Sequence, residues 1–160
     1  MNFRVGFGFD VHQLKEGLDF WLGGIKIPHS KGALGHSDAD VLIHSICDAL
    51  LGAANLGDIG KHFPDSDPKY KGIDSKILLK EVMILIRVKG YDLGNIDSTI
   101  CLQTPKIGSY IPEMQKVLSN SMGVDINLVS IKATTTETLG FVGREEGVSA
   151  YATALISPKQ

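Results

Sequence analysis

The sequence contains little cysteine, no surplus of positive charge and no long apolar run, and each shortage excludes a class of protein. Its two cysteines, Cys47 and Cys101, are too few for a disulfide scaffold and too far apart for a structural zinc site. A formal net charge of -2 lacks the basic surplus of nucleic-acid-binding domains. No window approaches a membrane span, and the first residues hold no signal-peptide run. We therefore expect a cytoplasmic protein that binds neither nucleic acid nor membranes, with both cysteines as buried free thiols.

What the sequence does contain is typical of one globular domain. Its 160 residues fall in the usual size range of a single domain, and 43% hydrophobic with 21% charged residues is an ordinary balance. We predict one domain over residues 1–160 and find no internal repeat, linker or low-complexity segment. Composition alone therefore indicates no function, and the motifs have to supply it.

The spacing of apolar residues and the turn signals between them predict an α+β fold. Strands are predicted at residues 3–9, 20–22, 25–27, 96–103, 126–133 and 148–156, although the alanines of the last segment also allow a helix there. Helices are predicted from Ser37 to about Ala54, over 74–89, and from Pro112 to Gly123. The segment 55–73 is rich in Gly, Asp and Pro, which predicts a long loop of the kind that is often functional. This order predicts a mixed β-sheet with helices packed on one face.

The first chemical motif is Asp10-Val11-His12, directly after the first predicted strand. In an extended segment, residues two apart point the same way, so Asp10 and His12 can converge on one point. A carboxylate oxygen and an imidazole nitrogen are both good zinc ligands. By itself the motif is weak, because Asp-x-His occurs often by chance.

The second motif runs from His36 to His44. Ser37 with Asp40 three residues on resembles a capping box, and His44 then lies on the apolar side of the helix. His44 is either a core histidine with one hydrogen bond or a third zinc ligand. Asp38 and Asp40 can also serve only to favour the helix N-terminus electrostatically. Two ligands from a strand and one from a helix would leave zinc a fourth position for substrate, which is the catalytic arrangement.

The glycines of Gly6-Phe7-Gly8 do not form a dinucleotide-binding fingerprint. The third glycine of that pattern would fall at position 11, which is Val11, and no helix is predicted to begin there. We expect these glycines to relieve crowding near the site instead.

The third motif is the threonine run that ends at Glu137, with a glycine-containing turn over 139–144 after it. Hydroxyls and backbone N–H groups at a strand end can cradle a phosphate, and a following carboxylate suits magnesium that bridges phosphate oxygens. The alternative is a β-rich run that ends in a plain turn. In the same way, 103–106 is either part of a binding loop or a turn with a solvated lysine.

Further motifs accompany these three in a fixed order along the chain. They are Gly-Phe-Asp-Val-His at 8–12, His-Ser-Asp-Ala-Asp at 36–40, Gly-Asp-Ile-Gly-Lys at 57–61, Phe-Pro-Asp-Ser-Asp-Pro at 63–68, Lys-Gly-Tyr-Asp-Leu-Gly-Asn at 89–95, Pro-Lys at 105–106, Lys-Ala-Thr-Thr-Thr-Glu at 132–137 and Leu-Gly-Phe-Val-Gly-Arg at 139–144. This set resembles the 2-C-methyl-D-erythritol 2,4-cyclodiphosphate synthases of isoprenoid precursor biosynthesis. The resemblance covers nearly the whole chain at matching length.

The resemblance implies a set of site residues. Zinc would be held by Asp10, His12 and His44, and magnesium or manganese by Glu137 together with the substrate diphosphate. His36 and Thr135 would be the catalytic pair that steadies the reacting phosphates. The methylerythritol part would be bound by Asp58, Ile59, Gly60, Phe63, Pro64, Asp65, Ser66 and Asp67. The cytidine diphosphate part would be bound by Leu102, Gln103, Thr104, Pro105, Lys106, Ile107, Gly108, Ala133 and Thr134. Further substrate contacts, not assigned to either part, would come from Asp10, His12, His36, Ser37, Thr135, Thr136 and Glu137.

The resemblance also implies an assembly and a reaction. The family is homotrimeric, with sheets meeting around the trimer axis and active sites at subunit boundaries. Its substrate, 4-diphosphocytidyl-2-C-methyl-D-erythritol 2-phosphate, is cyclised with release of CMP. An axial cavity would admit an isoprenoid diphosphate, with Phe141 and Arg144 at its mouth; the alternative is a turn with a surface arginine. Two other functions remain open, a zinc-dependent phosphohydrolase and a non-catalytic nucleotide-binding trimer.

Overall fold

Seven strands and five helices make up the computed structural model over the part of the chain that it describes, residues 2–159. The strands are β1 Arg4–Glu16, β2 Phe20–Leu22, β3 Ile25–Ile27, β4 Lys31–Leu34, β5 Tyr91–Cys101, β6 Val129–Thr134 and β7 Gly147–Pro158. The helices are α1 Val41–Ala53, α2 Ile59–His62, α3 Ser75–Val88, α4 Ile111–Met122 and α5 Gly140–Gly143. None of the helices within residues 2–159 has both the length and the apolar character that crossing a bilayer requires.

One five-stranded sheet, in the order β4-β1-β7-β5-β6, carries the fold. Strands β5 and β6 are parallel and the other neighbours are antiparallel, so the sheet is mixed. Helix α1 packs on β1 and β7, while α3 and α4 complete the same layer against β5 and β6. The predicted α+β class, with a mixed sheet and helices on one face, is confirmed.

Helix α1 approaches β1 unusually closely because two glycines face it. A Cβ atom at Gly6 would lie 1.8 Å from the Ala49 carbonyl oxygen, and one at Gly8 would lie 1.9 Å from the Ser45 carbonyl oxygen. Real Cβ atoms do not come so close to backbone, so no other residue fits at either position. The prediction that these glycines relieve crowding is confirmed. The close approach of α1 to β1 also brings His44 on the helix next to Asp10 on the strand.

The opposite face of the sheet carries exposed apolar side chains. Residues on a strand point alternately to the two faces of the sheet. Because Gly6 and Gly8 face α1, their neighbours in the chain, Val5, Phe7 and Phe9, point to the opposite face. Phe7 is 65% exposed, and its ring lies 6.4 Å from that of Tyr151 on β7. We call the surface formed by Val5, Phe7, Phe9, Val11 and Tyr151 the apolar face. Contiguous apolar surface of this kind marks an interaction site.

The start of α1 differs from the prediction. The helix begins at Val41 and its N-cap is Asp40, so Ser37 does not form a capping box with Asp40. Asp40 is fully buried and accepts hydrogen bonds from the backbone N–H groups of Ile43, Gly23 and Gly24. This carboxylate therefore caps the helix and ties it to the β2–β3 hairpin, a long-range role that local pattern does not show.

Other predicted boundaries also need correction. Strand β1 continues to Glu16, so Asp10 and His12 lie within the strand and not after it. Their polar side chains do not end the strand, because one face of a strand can line a cavity. The short strand β4 was missed, as was α5, and the long loop contains α2 and a 3-10 turn at Pro68–Tyr70. Residues 126–128 form a 3-10 turn before β6. Cys47 is buried and free as predicted, but the free Cys101 is only partly buried.

Candidate active site

Asp10, His12 and His44 converge on one point between β1 and α1. The Asp10 Oδ2 atom lies 3.0 Å from His12 Nε2 and 2.9 Å from His44 Nδ1. The two ring nitrogens are 3.2 Å apart. We call these three residues the metal cluster, because their ligand atoms could hold one metal ion. Their roles as ligands stay a prediction, but the structure brings all three together.

The ring of each histidine is held from its far side. The His12 Nδ1 atom lies 3.0 Å from the carbonyl oxygen of Leu34 on β4, which fixes the ring with Nε2 toward Asp10. The His44 Nε2 atom lies 2.9 Å from Ser75 Oγ and 3.1 Å from Ser37 Oγ. Because both far nitrogens have oxygen partners, both near nitrogens are directed at the metal cluster.

The close contacts shift the acid–base equilibria of the metal cluster. Burial would raise the pKa of Asp10, but hydrogen bonds and charge interactions with His12 and His44 outweigh it and lower the pKa to about 2. Burial would lower the pKa of His44, but the hydrogen bond and the charge of Asp10 outweigh it and raise the pKa above its ordinary value. The cluster therefore favours a carboxylate beside a cation.

A cavity opens beside the metal cluster, and we call it the first cavity. Its lining includes Ile59, Gly60, Phe63 and Asp65, which were predicted for the methylerythritol part, and the other predicted substrate contacts Asp10, His12, His36 and Ser37. Three apolar or aromatic residues that the sequence reasoning missed, Tyr70, Ile73 and Leu78, complete the wall. Pro64, Ser66, Asp67 and Asp58 do not line it. Asp58 instead caps α2 by accepting from the Lys61 N–H at 3.0 Å.

His36 has an unusual position in this wall. Its Nε2 atom is buried and has no hydrogen-bond partner within residues 2–159. A buried polar nitrogen without a partner is costly, at about 1–3 kcal/mol. Such an atom at a cavity wall is suited to a ligand that supplies the missing hydrogen bond.

Asp48 supports the loop that forms the floor of the first cavity. Its Oδ1 atom accepts a hydrogen bond of 2.8 Å from the backbone N–H of Ile59, at the start of α2. Burial, with smaller effects from Asp58 and Asp10, raises the pKa of Asp48. The sequence reasoning assigned it no role, since its only signal is its position one helical turn after His44.

A second cavity lies at the ends of β5 and β6. Its lining contains most of the residues predicted for the cytidine diphosphate part, namely Leu102, Gln103, Pro105, Lys106, Ile107, Gly108, Ala133 and Thr134. Thr135 of the predicted catalytic pair also lines it, as does Ile111, which was missed. Thr104 and Thr136 do not line it. Most of the predicted site residues therefore line one of two cavities of the chain.

The loop over residues 134–138, which we call the threonine loop, follows the second cavity. Thr135 Oγ1 lies 3.1 Å from Glu137 Oε1 and also accepts the Glu137 backbone N–H at 3.3 Å. Glu137 and Thr138 both have left-handed backbone, with φ of 53° and 64°. Side chains rarely adopt such angles, and they concentrate at functional sites. Glu137 itself is exposed and belongs neither to the metal cluster nor to the lining of either cavity.

Phe141 and Arg144 lie on and just after α5, away from both cavity linings. Phe141 is 41% exposed. Arg144 is exposed and makes two hydrogen bonds of 3.0 Å to the Glu146 carboxylate. Within one chain the arginine is therefore paired on the surface, as the alternative interpretation expected.

Strand register separates the metal cluster from the second cavity. Asp10 is opposite Ala150, Ala150 is opposite Ile100, and Ile100 is opposite Ala133. Asp10 and Ala133 are thus three strand spacings apart, about 14 Å at 4.7–4.9 Å for each spacing. The two halves of the predicted site do not meet within one chain.

Comparison with known proteins extends over the whole chain. The YgbB family model matches residues 3–157. A 2-C-methyl-D-erythritol 2,4-cyclodiphosphate synthase of Bacteroides fragilis is 66% identical over 157 residues, which cover 98% of this chain and 99% of that protein. The synthase of Porphyromonas gingivalis is 66% identical over 154 residues, which cover 96% of this chain and 95% of that protein.

Solved structures agree with the sequence relatives. IspF from Plasmodium falciparum, solved as a CDP complex, matches at a TM-score of 0.87 and 36% identity, over 99% of this chain and 98% of that one. The bifunctional IspDF from Campylobacter jejuni matches at a TM-score of 0.96 and 40% identity, over 99% of this chain but 43% of that longer one. With a matching family model and relatives of this identity, the chain belongs to the YgbB family, alongside proteins named 2-C-methyl-D-erythritol 2,4-cyclodiphosphate synthase.

Proposed function

We propose that this chain cyclises 4-diphosphocytidyl-2-C-methyl-D-erythritol 2-phosphate to 2-C-methyl-D-erythritol 2,4-cyclodiphosphate and releases CMP. It would act as a metal-dependent lyase in the cytoplasmic, non-mevalonate route to isoprenoid precursors. The observation that carries the proposal is the metal cluster in the wall of a cavity lined by predicted substrate-binding residues, among them Ile59, Gly60, Phe63 and Asp65 of the predicted methylerythritol set. The identity of 66% to a named synthase over almost the full length agrees with it.

The donor set and its spacing fit zinc. Ligand atoms held tetrahedrally at 2.0–2.1 Å from zinc lie about 3.3 Å from one another. The three donor atoms of the metal cluster are 2.9–3.2 Å apart, and one carboxylate with two imidazoles leaves a fourth position for substrate. When bound, zinc would supply Lewis acidity and a template for the phosphate groups.

The reaction needs positioning more than proton transfer. An oxygen of the 2-phosphate attacks the β-phosphorus, a new P–O bond closes the ring, and the bond to the α-phosphate breaks as CMP leaves. Since the attacking oxygen is already ionised at neutral pH, no strong general base is required. The protein has to bend the substrate for in-line attack and to offset its crowded negative charge.

Individual residues suit these tasks. The buried, unpartnered Nε2 atom of His36 would hydrogen-bond a phosphate oxygen in the first cavity. Lys106 and Thr135 in the second cavity would bind the cytidine diphosphate part, with Thr135 steadying the transferred phosphate. Glu137, beside Thr135, would hold magnesium or manganese against the substrate diphosphate.

The distance between the two cavities supports a site shared by subunits. Because Asp10 of the metal cluster and Ala133 of the second cavity are about 14 Å apart across the sheet, one chain would offer each half of the site to a different neighbour. A homotrimer closes such head-to-tail contacts into a ring with three composite sites. The apolar face would lie at its axis, where the three sheets meet. Light scattering of Phe7→Glu should then show monomers where the wild type is trimeric.

Phe141 and Arg144 would lie at the mouth of an axial cavity in that trimer, where an isoprenoid diphosphate could bind. Arg144 would have to exchange its contact with Glu146 for the diphosphate. Titration with geranyl diphosphate should show weaker binding by Arg144→Ala than by the wild type. Equal affinities would reject this role.

Phosphorus NMR of the purified protein with the cytidine-linked substrate tests the proposed reaction directly. A cyclic diphosphate with CMP is the expected product. Inorganic phosphate or a linear product would instead indicate a zinc-dependent phosphohydrolase. Unchanged substrate that nevertheless binds would indicate a nucleotide-binding trimer without catalysis.

A further inference from the structure

The two ring nitrogens of His44 have different partners. Its Nδ1 atom points into the metal cluster, 2.9 Å from Asp10 Oδ2. Its Nε2 atom points away from the cluster and lies 2.9 Å from Ser75 Oγ at the start of α3. Ser75 is fully buried, so water does not compete for this contact. Whether Nδ1 can bind a metal depends on which nitrogen carries the ring proton.

The hydrogen bonds around Ser75 decide where that proton lies. Ser75 Oγ–H donates to Asp38 Oδ1 at 2.5 Å, and the Ser75 backbone N–H donates to Asp38 Oδ2 at 2.9 Å. A carboxylate only accepts, so the single hydroxyl proton of Ser75 is directed at Asp38. Ser75 Oγ therefore turns a lone pair toward His44, and the His44 Nε2 atom has to be the donor.

We propose that Asp38 and Ser75 are positioning residues, which keep a proton on His44 Nε2 so that Nδ1 presents its lone pair to the metal. This inference rests on the proposed metal site. Without an acceptor at Nε2, the carboxylate of Asp10 would draw the ring proton to Nδ1, the nitrogen that the metal needs. Metal-bound histidines commonly donate their other N–H directly to a carboxylate. Here a serine hydroxyl is interposed, and Asp38 acts through it.

The same pair also fixes the position of the ring. The Asp38 backbone N–H donates to the Ile73 carbonyl oxygen at 3.1 Å, so Asp38 joins the segment before α1 to both Ile73 and Ser75. Ser37 Oγ adds a second contact to His44 Nε2 at 3.1 Å while it accepts the Ala39 N–H. The serine oxygens that face His44 Nε2 are therefore held in place before any metal binds.

Zinc affinity of the full-length protein, measured by competition with a chelator, tests the proposal. Ser75→Ala should bind zinc about 10–100-fold more weakly, as is usual when an outer partner of a metal-bound histidine is lost. The control is Ser119→Ala, whose buried hydroxyl donates to the Lys116 carbonyl oxygen within α4 and should leave the affinity unchanged. Ser75→Thr keeps the hydroxyl and should recover most of the affinity.

A second variant keeps the test sharp if Ser75→Ala folds poorly. Asp38→Asn preserves shape, but its amide can donate to Ser75 Oγ, which frees the serine proton to turn toward His44. Zinc affinity should fall in this variant too. In zinc-loaded, histidine-labelled protein, nitrogen NMR should show the His44 Nε2–H signal protected from exchange in the wild type and exchanging faster in Ser75→Ala and Asp38→Asn.

The outcomes separate this inference from the proposed function. If the wild type binds no zinc at His44, the metal site and the inference both fail. If the wild type binds zinc and Ser75→Ala binds it equally tightly, only the positioning role is overturned. A merely structural role would lower the melting temperature of the variants while zinc affinity and the His44 Nε2–H signal stay unchanged, and that result also overturns the proposal.

Discussion

The metal cluster and the threonine loop are held in the chain by different means. The metal cluster lies between a strand and a helix that touch backbone to backbone at Gly6 and Gly8, and both histidines have partners on their far sides. The threonine loop is exposed or half-buried, and hydrogen bonds from its own residues account for only part of what holds it. The first centre is preorganised by the fold of one chain. The geometry of the threonine loop would depend on the groups that contact it, which we propose to be the neighbouring subunit and the substrate.

The largest expected effect comes from breaking the preorganised centre. His44→Ala removes one of three proposed ligands, so zinc should bind at least about a hundredfold more weakly, more than the loss of an outer partner costs. Elemental analysis after dialysis should find zinc largely absent while circular dichroism stays native. Full zinc retention would remove His44 from the site.

A change in the threonine loop should affect activity without affecting zinc. Glu137→Gln keeps the shape and removes the charge that magnesium needs, so kcat should fall about 10²–10³-fold. Because Glu137 is not a member of the metal cluster in its own chain, zinc stoichiometry should equal that of the wild type. Zinc loss in Glu137→Gln would show that the two centres are not separate as described.

Mildly acidic pH should favour the zinc-free metal cluster and disfavour the zinc-bound one. The raised pKa of His44 stabilises the zinc-free fold below pH 6.5, and this stabilisation is lost as pH rises through the raised value. The lowered pKa of Asp10 stabilises the zinc-free fold above pH 3.8, and this stabilisation is lost as pH falls toward about 2. The zinc-free protein should therefore be most stable between about pH 4 and 6.5.

Zinc binding should weaken across that same window. Zinc requires neutral His44, so at least one proton competes, and affinity should fall at least about tenfold for each pH unit below the raised pKa. Melting curves with and without a chelator, recorded from acid to neutral pH, measure both trends. Parallel curves for zinc-loaded and zinc-free protein would contradict the coupling of His44 to Asp10.

A smaller effect is expected at the floor of the first cavity. Asp48→Ala leaves the Ile59 N–H without its acceptor, at a cost of about 1–3 kcal/mol, and should raise KM about tenfold by loosening the loop at Asp58–Gly60. Asp48→Asn keeps an acceptor oxygen and is the matched control, with KM near that of the wild type. Equal KM values for both variants would show that the contact does not position substrate.

Much of this arrangement could be predicted from local pattern. The i, i+2 spacing of Asp10 and His12 predicts that they share a face, and helical periodicity placed His44 on an apolar, inward side. The glycine pair at 6 and 8 indicated crowding. These signals are local, because each depends on residues within one strand or one helix turn.

The missed roles of Asp40, Ser75 and Asp48 depend on contacts between separate segments. Asp40 caps α1 while it also binds the hairpin glycines, so the helix begins later than the Ser37 pattern predicts. Ser75 reaches His44 across 31 residues of sequence, and Asp48 reaches Ile59 across 11. No periodicity marks a single polar residue that acts at such a distance. The separation of the two cavities likewise follows from strand order, which the pattern of elements does not determine.

The central claim is that each site combines the metal cluster of one subunit with the second cavity of the next. His12→Ala breaks only the first part and Thr135→Ala only the second, so neither variant is active alone. Refolded together in equal amounts, about three quarters of trimers are mixed, each with one intact site in three, and about a quarter of wild-type activity should return. If the refolded mixture is as inactive as its parents, with subunit exchange confirmed by mass spectrometry, each chain carries a whole site and the claim is wrong.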